Sequence, residues 1–314
     1  MPEKPVRDFT ASPETTLAEL LERFGAAGGF TAAKLATAAG IMRRMRDADC
    51  TVFLSFPADI MATGTRGVLQ QLVADGFADV VVTTCGTLDH DIARTLADYY
   101  HGDFALDDAA LRERGVNRLG NVLVPDNSYG IPIEKWMQPF LNDLYKKQSR
   151  WTPWEIWREL GLRLAREERG DESLLTVCAA RNVPVFIPGF SDGAVGSQLW
   201  QFWQSHRDFT PDTLADEHAL SDIVHDAPAT GALMIGGGIS KHHVIWWNQF
   251  RDGLDYAVQV TTAPEWDGSL SGARVREAVS WGKVKAEACR VTVEGDATVL
   301  LPLLAGALSV RPAG

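Results

Sequence analysis

The chain has 314 residues, enough to bury a sizeable core and close to the roughly 250–300 residues at which single cores stop growing. Hydrophobic residues make up 46% and charged residues 23%, values that exclude wholesale disorder. Thirty basic against 41 acidic side chains give a net charge of −11, which opposes nonspecific nucleic-acid binding, mildly favours cationic partners and serves solubility in any case.

Residues 16–24 and 31–45 carry apolar residues at helical spacing, with Gly28-Gly29 as a break between them. An apolar, β-rich stretch at 50–54 then leads through a turn with Pro57 and Gly64 into a helical stretch at 68–73. The same strand-then-helix order recurs at 79–83 with 92–99, and further short apolar strands are expected at 183–187, 232–235 and 256–260. Short, fully apolar strands alternating with helices predict a doubly wound α/β fold, a mostly parallel sheet with helices on both faces. Residues 133–166 are helical and rich in tryptophan, and Trp136, Trp151, Trp154 and Trp157 are read as packing or interface residues. The expected division is an N-terminal helical arm, 1–48, and an α/β catalytic domain, 49–314.

No apolar run reaches the roughly 18–20 residues that span a bilayer, and the N-terminus lacks the apolar core of a signal peptide, so a cytoplasmic protein is expected. Cys50, Cys85, Cys178 and Cys289 are scattered and suggest neither a zinc site nor a disulfide framework.

Ligands of open parallel sheets bind beyond the carboxyl ends of the strands, and three of those turns are unusual. After 79–83 come Thr83-Thr84-Cys85-Gly86 and then Asp89-His90-Asp91, where backbone amides could hold a phosphate or Asp89 could cap a helix. Gly236-Gly237-Gly238 precedes Lys241-His242-His243, and its glycines would let a ligand such as a pyrophosphate come close to the backbone. Adjacent helical histidines point about 100° apart, so a metal site is not expected. The densest constellation runs from Glu265 to Arg274 and closes with Glu277, Trp281 and Lys283. If 281–283 is extended, alternation puts the Trp281 indole and the Lys283 amine on one face, with the amine able to meet Glu277.

Glu265-Trp266-Asp267-Gly268-Ser269 with Ser271-Gly272-Ala273-Arg274, followed by Glu277-Ala278-Val279-Ser280-Trp281-Gly282-Lys283, closely resembles the active-site signature of deoxyhypusine synthases. The resemblance continues in Gly236-Gly237-Gly238 through His243, in Pro188 to Gly193, in Val81 to Thr84 and in Asn117 to Pro125, and covers nearly the whole chain. It implies an NAD-dependent transferase of hypusine biosynthesis. NAD takes a hydride from the polyamine spermidine, Lys283 attacks the resulting imine and holds an aminobutyl group, and that group passes to a lysine of translation factor 5A. An ammonium cannot attack carbon, so Lys283 must spend time neutral, which a dry setting beside Trp281 would favour.

By positional match, Asp59, Thr83, Gly86, Asp192, Gly237, Thr262, Ala263, Asp296 and Ala297 would contact NAD. Asp89, His90, His242, Gly268, Ser269, Glu277 and Trp281 would contact the donor, with Lys283, His242, Trp281 and Glu277 forming the catalytic set. A homotetramer with sites at subunit interfaces is implied as well. Leu270, Ser197, Asp89-His90 and Trp246 depart from the family's eukaryotic donor-binding pattern, which predicts an altered donor such as agmatine. A homospermidine synthase-like transfer to a free diamine, and a noncatalytic NAD- or factor-binding homologue, are the alternative readings.

Overall fold

The computed structural model describes residues 4–309, so the first three residues of the expected arm and residues 310–314 lie outside the described residues. In chain order come α1 (Leu17–Ala27), α2 (Phe30–Asp47), β1 (Cys50–Ser55), α3 (Arg66–Ala74), β2 (Val80–Val82) and α4 (Cys85–Leu96). A small insert follows, with β3 (Tyr100–His101), α5 (Asp108–Glu113), β4 (Val116–Leu119) and β5 (Val122–Pro125). Next are α6 (Gly130–Lys147), β6 (Arg150–Trp151), α7 (Pro153–Leu164), α8 (Leu174–Arg181), β7 (Val185–Phe186), α9 (Ala194–Ser205), β8 (Thr210–Pro211) and α10 (Thr213–Asp226). The last stretch holds β9 (Ala229–Ile235), α11 (Gly238–Asn248), β10 (Leu254–Thr261), β11 (Val284–Glu294) and α12 (Ala297–Ser309).

The chain divides differently from the expected arm and catalytic domain. Among the described residues, one compact unit joins 4–55 with 223–309, and the other is Phe56–Asp222. The N-terminal helices belong to the first unit because α2 packs on its sheet and is tied to its far end. Lys34 Nζ meets the Glu294 carboxylate at 2.6 Å, and Arg46 Nη1 donates to the Leu308 carbonyl at 2.5 Å. α1 begins with a capping box in which Thr16 Oγ1 accepts from the Glu19 amide and the Glu19 carboxylate accepts from the Thr16 amide.

The first unit is built on four parallel strands in the order β11-β10-β9-β1. β9 and β10 are buried along nearly their whole length, which is why they read as uninterrupted apolar runs. β11 did not read as a strand. It lies at the outer end of the sheet, mixes charged with apolar residues, and carries a bulge in which residues 285–288 stand opposite Asp255 alone. Arg290 folds over that bulge and donates to the carbonyls of Ala286 and Ala288 at 2.8 and 3.1 Å.

In the second unit β2 pairs with β7 in parallel, and β3-β5-β4 form a small antiparallel sheet. Helix α4 organises the helices around it. Asp89 and Asp91 lie two residues apart, about 200° around the helix, and so serve different neighbours. Asp89 accepts from the Ala194 and Val195 amides at the start of α9, and Asp91 from the Leu174 and Leu175 amides at the start of α8. Trp136, Trp151 and Trp157 are buried, in keeping with a packing role. The chain thus adopts the expected α/β class. All four cysteines are free thiols, Cys85 and Cys178 buried and the others half-buried.

Candidate active site

The chemistry-bearing residues of the first unit gather around the turn that follows β9. Gly236 and Gly238 have φ of +67° and +63°, a left-handed conformation that other residues adopt only at a cost. Gly237 is needed for space instead. A Cβ there would stand 2.3 Å from the Ser271 backbone nitrogen. The glycines therefore let the chain's own loop, residues 262–274, lie directly on the start of α11.

α11 presents His242 and Trp246, which are four residues apart and stack with ring centroids 5.7 Å apart and planes at 24°. Facing them is the turn before β11. The short helical turn Val275–Val279 ends, Gly282 takes φ +68°, and the Lys283 amide donates to the Ala278 carbonyl at 3.0 Å. The Lys283 carbonyl in turn accepts from the Leu254 amide at 3.1 Å, so the backbone at this position is fixed from both sides.

Lys283 is 9% exposed, a rare state for a lysine. Its Nζ lies 5.5 Å from the centroid of the Trp246 ring and 5.4 Å from that of Trp281. The amine is thus held between two indole faces, one from a helix and one from a turn. The expected extended segment 281–283 is not the reason. Gly282 bends the chain, and the bend brings the indole and the amine together.

His242 is close enough to feel Lys283. Its basicity is lowered first by burial and then by the charge on Lys283, which favours the neutral imidazole. Glu277 is placed differently from the expectation. Among the described residues it forms no ion pair with Lys283; it is exposed, and its charge acts on Lys241. Gly268, with φ +72°, and Ser269, whose hydroxyl donates to Asp267 Oδ1 at 2.8 Å, lie exposed in the 262–274 loop.

Of the other positions expected to contact a cofactor in this unit, Gly237 is buried under the loop, Thr262 is exposed, and the Ala263 amide donates to Thr261 Oγ1 at 3.1 Å. Asp296 is exposed and accepts from the Thr298 amide at 2.9 Å, with Ala297 opening α12. In the second unit Thr83 is fully buried, its hydroxyl donating to the Phe56 carbonyl at 2.8 Å. A Cβ at Gly86 would stand 2.8 Å from that of Ala58, while Asp59 and Asp192 are exposed carboxylates.

Asp89 and His90 are not free to meet a donor as charges. Asp89 is buried and, besides capping α9, accepts from the Tyr129 hydroxyl at 2.8 Å. Helix capping was one of the two readings of this residue, but the helix it caps is not its own. His90 is buried, pairs with the Tyr99 hydroxyl at 2.9 Å and is pushed down to about 4 by burial, so its ring is neutral at pH 7.

Neither α11 nor α4 begins with a side-chain cap. No cluster of three or more metal-ligating side chains exists among the described residues, and no helix is long and apolar enough to cross a membrane. Two residues of the site carried no assigned role in the sequence reading. Trp246 was noted only as a departure from a pattern, although its spacing from His242 was a usable signal, and Lys241 was quoted only within its motif.

The family model for deoxyhypusine synthase matches residues 19–308. A Picrophilus torridus protein named "Probable deoxyhypusine synthase" is 55% identical over 301 residues, 96% of each chain, and a Thermoplasma acidophilum protein of the same name is 54% identical over the same share. The crystal structure of an Entamoeba histolytica protein assigned to deoxyhypusine synthase superposes with a TM-score of 0.65 at 19% identity, covering 96% of each chain, a likeness of fold. With a match this long and relatives this similar, the chain belongs to the deoxyhypusine synthase family.

Proposed function

We propose that this enzyme works as a deoxyhypusine synthase that carries the aminoalkyl group of a polyamine on Lys283 and delivers it to a lysine of translation factor 5A. The observation that carries the reading is the buried Lys283 amine held between Trp246 and Trp281 beside His242. A neutral imidazole can take the proton that the ammonium must lose before it attacks carbon. The freed amine adds to the oxidised donor, the carbon–nitrogen bond to the departing amine breaks, releasing a diamine from spermidine or ammonia from agmatine, and the group remains as an imine on Lys283. The acceptor lysine then displaces Lys283 from that carbon. The two indoles keep water from the imine, and the exposed Glu277 is suited to a donor ammonium.

The cofactor in this reading is NAD, whose chemistry is to take up a hydride from the donor and to return it to the product. Asp59, Thr83, Gly86, Asp192, Gly237, Thr262, Ala263, Asp296 and Ala297 are the proposed contacts. Asp192 and Asp296 are suited to ribose hydroxyls as exposed carboxylates. A homotetramer is part of the proposal. It is supported by the large aromatics left exposed on α11 and its neighbouring segments, Trp246, Phe250 and Trp266, a surface that a second copy would cover.

The donor is proposed to differ from spermidine, with agmatine the leading candidate. Leu270 and Ser197 carry no charge, Asp89 is occupied by α9 and His90 is neutral, so few anions remain to hold a distal ammonium.

The test is mass analysis of purified translation factor 5A after incubation with NAD and either spermidine or agmatine. The wild type should add an aminobutyl or guanidinobutyl mass, and Lys283→Ala should add nothing. Unmodified factor with every polyamine would refute the activity, transfer of label to free putrescine instead would favour the diamine reading, and a clear preference for spermidine would refute the altered donor.

A further inference from the structure

Lys241 is 2% exposed and has no carboxylate partner within ion-pair distance among the described residues. Lysines are almost never buried unless paired, so whatever keeps this one in place must offset a substantial desolvation cost. Its ammonium donates to two backbone carbonyls of one loop, Leu270 at 2.8 Å and Ala273 at 2.5 Å. Burial, opposed by the Glu277 charge and aided by that of Arg274, pushes its basicity down to about 8.

The two acceptors are three residues apart and flank Ser271, which is itself held from the sheet side. The Ser271 carbonyl accepts from Thr261 Oγ1 at 2.9 Å and Gln259 Nε2 at 3.1 Å, and its backbone nitrogen lies where a Cβ on Gly237 would be. The arc 270–273 is therefore clamped from both sides, by a lysine on α11 and by side chains of β10. Gly268 and Ser269 lie immediately before that arc, and His242 immediately follows Lys241 on the helix.

We propose that Lys241 is a positioning residue, a cationic clip that docks the 262–274 loop onto α11 and so sets Gly268 and Ser269 at a fixed distance from His242 and Lys283. The proposal rests on the functional reading above for what the loop holds, a polyamine donor, but not for the clip itself.

The test uses the full-length enzyme and Lys241→Met, which replaces the ammonium by a neutral chain of similar shape. Hydrogen exchange should show protection of the amides in 262–274 falling by about tenfold or more, with β9 and β10 unchanged. The donor KM should rise by about tenfold with kcat changed less than about threefold, and Lys241→Arg, which keeps the charge and its donors, should recover part of both. Unchanged loop protection in Lys241→Met would overturn the clip. Faster exchange with an unaltered donor KM would overturn its role toward the donor. Collapse of the whole fold would overturn it too, since Lys241 would then be a general stability element. If the wild type carries no donor adduct at all, the functional reading fails, and the exchange measurement still decides the clip.

Discussion

Asp89 sits inside one helix and caps another: its Oδ1 accepts from the Val195 amide at 2.8 Å. The second oxygen accepts from the Ala194 amide at 2.9 Å and the Tyr129 hydroxyl at 2.8 Å. Close approach is possible because residue 193 is glycine; a Cβ there would stand 2.7 Å from the carboxylate. Asp89→Ala would leave two amides and a hydroxyl unpaired in a buried site. Urea denaturation should show a loss of about 2–4 kcal/mol with little change in slope. A loss under about 0.5 kcal/mol would mean that water replaces the carboxylate without cost.

Asp216 supplies the pH dependence. It is buried, accepts from the Trp154 amide at 2.8 Å, and is pushed up to about 7 by burial first and then by Glu217 and Glu155. The unfolded carboxyl releases its proton near the ordinary value of 3.8, while the folded one keeps it to about 7. Between those values the folded state binds more protons, so this group's contribution to stability falls as pH rises through that window and is level above it. Asp216→Asn should cancel the fall and be more stable than wild type at pH 8 by about 1–3 kcal/mol, with the advantage shrinking toward pH 4. Denaturation curves at pH 5 and 8 check this.

Trp246 forms one wall around the Lys283 amine. Trp246→Leu keeps an apolar contact but loses the aromatic face that would stabilise the cationic iminium forming on Lys283, a change of about 0.5–2 kcal/mol for a cation so placed. Borohydride trapping over time should show donor adduct on Lys283 forming roughly 2- to 30-fold more slowly. An unchanged rate would remove the indole from the proposed chemistry.

Gly237→Ala tests the seat of the loop. The added methyl cannot coexist with Ser271 in its present place, so the loop must lift. Melting should report a cost of about 1–3 kcal/mol, and adduct formation should fall more steeply than stability does. Equal melting temperatures would mean that the loop is not seated on this turn.

What could be read in the sequence follows from local chemistry. β9 and β10 were visible because strands buried on both faces are continuous apolar runs, and α1 because Thr16 and Glu19 spell out its start. β11 was hidden because an outer strand with a bulge alternates charges with alanines, and β7 is only two residues long where a longer strand was expected. Lys283, His242 and Trp281 were found through their resemblance to a known signature and do come together. Lys241 was hidden, since nothing in the chain says that a helix at 238 will meet a loop at 270. Asp89 illustrates the same limit: a carboxylate within a helix announces a cap, but the helix it serves lies over a hundred residues later.

Trp281 is 68% exposed while its ring lies 5.4 Å from the one amine proposed to be loaded covalently. Its emission should therefore be that of a wet indole at rest and shift to shorter wavelength when a group attached to Lys283 displaces the water over it. The enzyme would then report its own loading optically, and the difference spectrum between wild type and Trp281→Phe would isolate that signal from the other tryptophans.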